Sequence, residues 1–140
     1  MAATQCFSAR HLPEQPVSAT MRGAIDAVGL FAEGNRLDPV TAGRLAVIVD
    51  ELIGNVLRHG GRHQGIALDL TISAAAGGVE VFVEDDGTPF DPRTAGSFAG
   101  PDEESGGGVG LALVHAWAEI LAYDRRDGRN RLHLRLRGSN

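Results

Sequence analysis

The sequence predicts an α+β fold, a two-layer α/β sandwich in which about three helices cover one face of a mixed, mostly antiparallel sheet. Three observations carry this expectation. Segments 17–33 and 39–59 repeat their apolar residues with the period of a helix, while 66–73 and 79–84 alternate with the period of a strand around Gly77-Gly78. A third apolar segment opens on a glycine cluster and gives way to Leu132, Leu134 and Leu136, which alternate again.

Taken in chain order, Gln5 to Ala9 reads as a short strand, and Pro16 introduces a helix from Val17 to Glu33 that breaks at Gly34-Asn35. Asp38-Pro39 pairs a capping carboxylate with a proline at the first turn, so a second helix starts there, runs to about His59 and ends at Gly60-Gly61. Ile66 to Ser73 and Val79 to Glu84 form a β-hairpin whose second strand delivers Asp85 at its end. Pro92 to Ser105 is rich in Gly, Ser, Pro and acid, has no apolar period and is expected to be a mobile loop; its Asp102-Glu103-Glu104 cluster reads as solvated. The third helix is expected from Val109 to Leu121, with Leu111, Val114 and Ala118 on its buried face. Tyr123 and the alternating leucines then make closing strands around a turn at Asp127-Gly128.

Composition narrows the function. At 140 residues, with 43% apolar residues spread along the chain, one domain spanning 1–140 with a real core is the economical reading. No stretch reaches the roughly 20 apolar residues of a membrane span, and MAATQCFSAR lacks a secretory pattern, so a cytoplasmic protein without membrane partners is expected. Cys6 is the single cysteine, which excludes an internal disulfide and fits a reducing compartment. The net charge of -5 argues against direct nucleic-acid binding, which needs basic patches. All 13 basic residues are arginine. Without lysine, neither the P-loop nor the eukaryotic-type protein-kinase phosphate grip is available.

Three motifs bear chemistry. In VDELIGNVLRHG, Glu51, Asn55, Arg58 and His59 share a polar stripe while Leu45, Ile48, Leu52, Ile53 and Val56 form an apolar one. Helical spacing therefore turns a carboxylate and an amide toward one site. Asp85-Asp86-Gly87-Thr88-Pro89-Phe90-Asp91 follows an apolar strand, and Gly106-Gly107-Gly108-Val109-Gly110 opens the third helix, where free backbone amides and the helix dipole favour phosphate. A dinucleotide fingerprint is not met, because the glycine run follows an acidic loop instead of a strand.

On these residues the chain resembles the ATP-binding domain shared by DNA gyrase, a class of heat-shock chaperones, histidine kinases and the MutL proteins, and within it the anti-sigma factor serine kinases of the RsbW and SpoIIAB kind. Glu51-x-x-x-Asn55 matches the family's N box, Asp85-x-Gly87 with Pro89-Phe90-Asp91 its first glycine box, and Gly106 to Gly110 its second. The resemblance covers nearly the whole chain and implies the histidine kinase-like ATPase sandwich with ATP and Mg2+ as cofactors. It implies that Glu51 is the catalytic base and that Asn55 is the metal ligand. Nucleotide contacts fall on Asn55, Arg58, His59, Asp85, Gly87, Pro89, Phe90, Gly106, Gly107, Gly108, Val109, Gly110 and Leu111. Asp85, not Asp86, would accept from the adenine amine. Where the family often carries an adenine-site threonine, this chain has Asn130-Arg131-Leu132-His133.

The implied function is an ATP-binding anti-sigma regulator that phosphorylates a serine of an anti-anti-sigma antagonist of the STAS type and sequesters a sigma factor by partner switching, as a homodimer. The alternative is a non-catalytic module whose nucleotide only sets which partner is held.

Overall fold

The computed structural model describes residues 4–59, 65–95 and 107–138. Its elements run β1 (Thr4–His11), α1 (Val17–Gly34), α2 (Pro39–His59), β2 (Ile66–Ala75), β3 (Gly78–Asp85), a single turn α3 (Pro92–Ala95), α4 (Gly107–Trp117), β4 (Ala118–Arg126) and β5 (Arg129–Arg137). The strands lie in the order β1-β2-β3-β5-β4, and each pairing is antiparallel, so the described sheet has no mixed character.

Local chemistry accounts for the element ends. Asp38 caps α2 as its sequence position suggests, accepting from the Thr41 amide at 2.9 Å and the Thr41 hydroxyl at 2.7 Å. Asn35 closes α1, donating its amide and its side-chain nitrogen to the Phe31 carbonyl. Gly77 and Gly128 hold the two hairpin turns at φ of 79° and 75°, backbone that a side chain would strain.

The helices cover one face of the sheet. Ala24, Val28 and Phe31 of α1 and Leu45, Ile48, Val49 and Leu52 of α2 bury themselves in one cluster with Leu70, Ile72, Val81 and Leu134 from the strands. The other face carries ion pairs instead: Arg129 with Asp69 at 2.7 Å, Arg131 with Asp124 at 2.8 Å, and His133, stacked on Phe82, within 2.7 Å of Glu80. No helix among the described residues is long and apolar enough to cross a membrane.

Two sequence expectations change here. The helix expected to reach Leu121 stops at Trp117, and Ala118 pairs at once with Leu136 as the start of β4. Ladder pairing to β5 outweighs the good helical propensity of Ala118 to Leu121, a tertiary override of a weak local preference. Within β4 the register shifts between Ile120 and Ala122, leaving Leu121 as an extra residue in the strand. Ala118 and Ile120 lie opposite inward-facing Leu136 and Leu134, and the extra residue then brings Tyr123 opposite Leu132, also inward. The expected loop over 92–105 begins as α3; its remainder, with Asp102-Glu103-Glu104, and the Gly60-Gly61 helix stop lie outside the described residues.

Candidate functional site

A cleft opens between α2 and the C-terminal end of β3. Leu52, Asn55 and Val56 form its helical wall, Val83, Asp85 and Leu132 its floor, and Thr88, Phe90 and Pro92 its rim, with Tyr123 and Asn130 closing the end. The wall comes from helical spacing, since residues 52, 55 and 56 share one face of α2. Strand alternation supplies the floor: Val79, Val81 and Val83 point into the core, and Asp85 continues that series to the edge of the cleft.

Asp85 is 5% exposed and sits opposite Asn130 in the β3–β5 register. Its Oδ1 accepts from the Gly87 amide at 2.9 Å and from Asn130 Nδ2 at 3.0 Å. Among the described residues Oδ2 receives no hydrogen bond. Burial pushes the Asp85 carboxyl above its ordinary value, opposed by the Asn130 and Gly87 donors. Asp86 has a different task, holding the Ala67 amide at 2.8 Å and so tying β2 to the end of β3.

Asn55 is 3% exposed, and its buried Nδ2 has no partner among the described residues. An unmade hydrogen bond of this kind costs about 1–3 kcal/mol, so a buried amide left open beside a cleft marks a place for a ligand. Its Oδ1 accepts from Arg58 Nη2 at 3.1 Å. Arg58 folds back over Gly54, where a β-carbon would meet Nη1 at 2.9 Å, so the glycine makes room for this contact. Glu51 lies one turn before Asn55, half-buried and outside the cleft lining. Desolvation, then the neighbouring Asp50, raise its carboxyl above the usual value, while Arg58 pulls the other way.

The remaining sequence-predicted residues distribute unevenly. Phe90 lines the cleft, Gly87 is buried beneath Asp85, and Pro89 is exposed on the rim loop. The glycine cluster opens α4, which starts two residues before the expected Val109: Gly107, Gly108, Val109 and Gly110 are its first turn, so their amides belong to the donor-rich helix end. Gly106 and the side chain of His59 lie outside the described residues. Leu111 is buried in the core, where the side chain packs.

Sequence reasoning missed Tyr123 and Arg125. Tyr123 donates to Asn130 Oδ1 at 2.6 Å, and Arg125 Nη1 donates to the same oxygen at 3.0 Å and to the Gly87 carbonyl at 2.9 Å. A helix drawn through Leu121 hid both, because it left the strand unphased. The rim is anchored nearby: Asp91 chelates the Arg93 guanidinium, which lies 5.6 Å from the Tyr123 ring centre, and His115 Nε2 is 3.0 Å from the Pro92 carbonyl.

An antiparallel sheet backed by helices, with a buried carboxylate at one strand end and a buried asparagine of α2 lining the same cleft, defines an α+β sandwich of the kind the motifs imply. Residues 13–136 match the histidine kinase-like ATPase domain, and the chain belongs to that family. It is similar to the serine/threonine-protein kinase BtrW of Bordetella bronchiseptica, with 32% identity over 94 residues, covering 64% of this chain and 66% of that protein. The matched part is thus slightly under two thirds of the relative's length. Among solved structures it resembles the Acinetobacter baumannii histidine kinase AdeS, at a TM-score of 0.50 and 17% identity over 96% of this chain and 68% of that one, a likeness of fold.

Proposed function

We propose that this chain is an ATP-dependent protein serine/threonine kinase of anti-sigma regulation, which phosphorylates a serine of a STAS-type anti-anti-sigma antagonist and sequesters a sigma factor by partner switching, as a cytoplasmic homodimer. The observation that carries the reading is the pairing of an open Asp85 oxygen with the unpartnered Asn55 amide across one cleft. Adenine offers an exocyclic amine donor to Asp85 Oδ2, and Gly87 lets the backbone approach the ring. Membership of an ATPase family and similarity to a protein named a serine/threonine kinase support the same assignment.

The residues present fit a magnesium ion. No group of three or more His, Cys, Asp or Glu among the described residues could hold a metal, but Mg2+ needs only one or two protein oxygens beside phosphate and water. Asn55 would supply a neutral oxygen, and the ion would neutralise phosphate charge. Asn55 Oδ1 is held by Arg58, so binding the ion competes with that contact. Glu51, one turn away, would take the proton of the attacking serine hydroxyl, and its raised carboxyl brings it toward the pH at which a general base works best.

The test is Glu51→Ala, assayed for ATP affinity and for single-turnover transfer to the antagonist. Affinity should stay within a few-fold while transfer falls by about 10²- to 10⁴-fold, the usual worth of a positioned base. Transfer at the parent rate would remove Glu51 from the chemistry. If the parent protein transfers nothing to any antagonist yet exchanges partners when ATP replaces ADP, the non-catalytic switch replaces this reading.

A further inference from the structure

Asn130 has all four of its side-chain hydrogen-bonding valences filled inside the protein. Nδ2 donates to Asp85 Oδ1 at 3.0 Å and to the Thr88 carbonyl at 2.9 Å; Oδ1 accepts from Tyr123 at 2.6 Å and from Arg125 at 3.0 Å. An amide has two donors and two lone pairs, so nothing on it is left for a base. Asn130 stands near the start of the last strand, opposite Asp85, and its donors go to Asp85 and the Thr88 carbonyl.

We infer that Asn130 is the positioning residue that commits this pocket to adenine, by clamping Oδ1 of Asp85 and the Gly87–Thr88 turn so that only Oδ2 faces the base. The inference rests on the reading of Asp85 as the adenine acceptor. Adenine presents an amine where guanine presents a carbonyl oxygen. A fixed carboxylate oxygen attracts the first and repels the second. A carboxyl freed from its clamp can turn, or take a proton and donate to the guanine oxygen, so discrimination depends on the clamp as much as on the acid. The surroundings hold Asn130 in this orientation. It is 5% exposed, and the unbroken β4–β5 pairing from the hairpin turn sets Arg125 opposite it and Tyr123 opposite Leu132, one strand over. Arg125 also grips the Gly87 carbonyl, joining the turn to the same network. A fully satisfied network around a buried amide fixes one geometry.

The experiment is calorimetric titration of ATP and GTP into the parent, Asn130→Ala, Tyr123→Phe and Asp85→Asn, with melting measured on each. Asn130→Ala should weaken ATP by about tenfold or more and narrow the ATP-to-GTP preference, with the magnesium dependence unchanged. Tyr123→Phe should move both quantities the same way by less. If Asp85→Asn leaves ATP affinity intact, the adenine reading itself fails. If Asp85→Asn loses ATP while a folded Asn130→Ala keeps parent affinity and preference, the adenine reading stands and the clamp is overturned. Equal losses of ATP and GTP overturn it too, because Asn130 then only shapes the pocket. Should Asn130→Ala fail to fold, Tyr123→Phe decides, and an unchanged preference there is the overturning result.

Discussion

Asp85 joins two requirements that pull apart. Recognition of an amine needs the carboxylate, yet burial favours the acid, and the Asn130 and Gly87 donors only partly restore the charged form. A carboxyl whose folded value is raised above the ordinary 3.8 makes the folded state hold its proton to higher pH than the unfolded chain does. Its contribution to stability therefore falls as pH rises through the window from 3.8 to the raised value, and above that window it is a constant cost. Asp85→Asn should be at least as stable as the parent at neutral pH, with the difference closing on acidification. The same variant should bind ATP about ten- to a hundredfold more weakly and lose the acid-side decline in affinity that the parent shows. Calorimetry and thermal melting between pH 4 and pH 8 check both, and a variant that is less stable yet binds normally would contradict the assignment.

At the scale of one element, α2 is the carrier of the polar half of the site. Its Asp38 cap fixes where the helix begins, and from there the turn-by-turn spacing sets Glu51, Asn55 and Arg58. Gly54 in its middle costs about 1 kcal/mol against alanine, and the return is the Arg58 contact with Asn55 Oδ1. Since magnesium and Arg58 want the same oxygen, Arg58→Ala should lower the magnesium concentration that half-saturates ATP binding by about three- to tenfold, a modest figure because Arg58 is exposed. Gly54→Ala, which displaces the guanidinium, should act in the same direction. Asn55→Ala should remove most of the magnesium dependence while metal-free affinity barely moves. An unchanged magnesium response in both Arg58→Ala and Gly54→Ala would show that the contact is only surface decoration.

Across the whole molecule, what could be read from the sequence was what periodicity and capping encode. The apolar stripe on 39–59, the Asp38 cap, the hairpin and the arrival of Asp85 at a strand end all appear as expected, whereas Glu51 and Arg58 of the polar stripe lie outside the cleft lining. What could not be read depends on pairing between distant segments. The end of α4 at Trp117 is decided by β5, which lies beyond the next strand and turn, because Ala118 to Leu121 would serve a helix as well as a strand until a ladder is offered. The glycine run opens a helix as its sequence suggests, but α4 begins at Gly107 instead of Val109. Tyr123, Arg125 and Asn130 become one network only after β4 and β5 are aligned, so no local pattern names them.

Leu121 is 42% exposed and packs little, which makes it look dispensable. Its role is arithmetic. As the odd residue in a two-residue repeat it takes up the three-residue step between Ile120 and Tyr123, both inward, so the partners on either side keep their faces whatever its side chain and whether or not it is there. Replacing Leu121 by serine should leave ATP affinity near the parent's. Deleting it should let β4 pair without interruption, with Ile120 still opposite Leu134, Tyr123 opposite Leu132 and Arg125 opposite Asn130, so the valences of Asn130 stay filled and ATP affinity should again stay near the parent's. Deleting Leu121 and Ala122 together should instead turn Ile120 away from the helices and lower the melting temperature. A loss of about tenfold in ATP affinity in the single deletion would show that the bulge itself, and not the pairing beside it, holds Tyr123 and Arg125. In this fold, then, the edge strand forgives both a misspelling and a miscount at the one place where it already counts a residue too many.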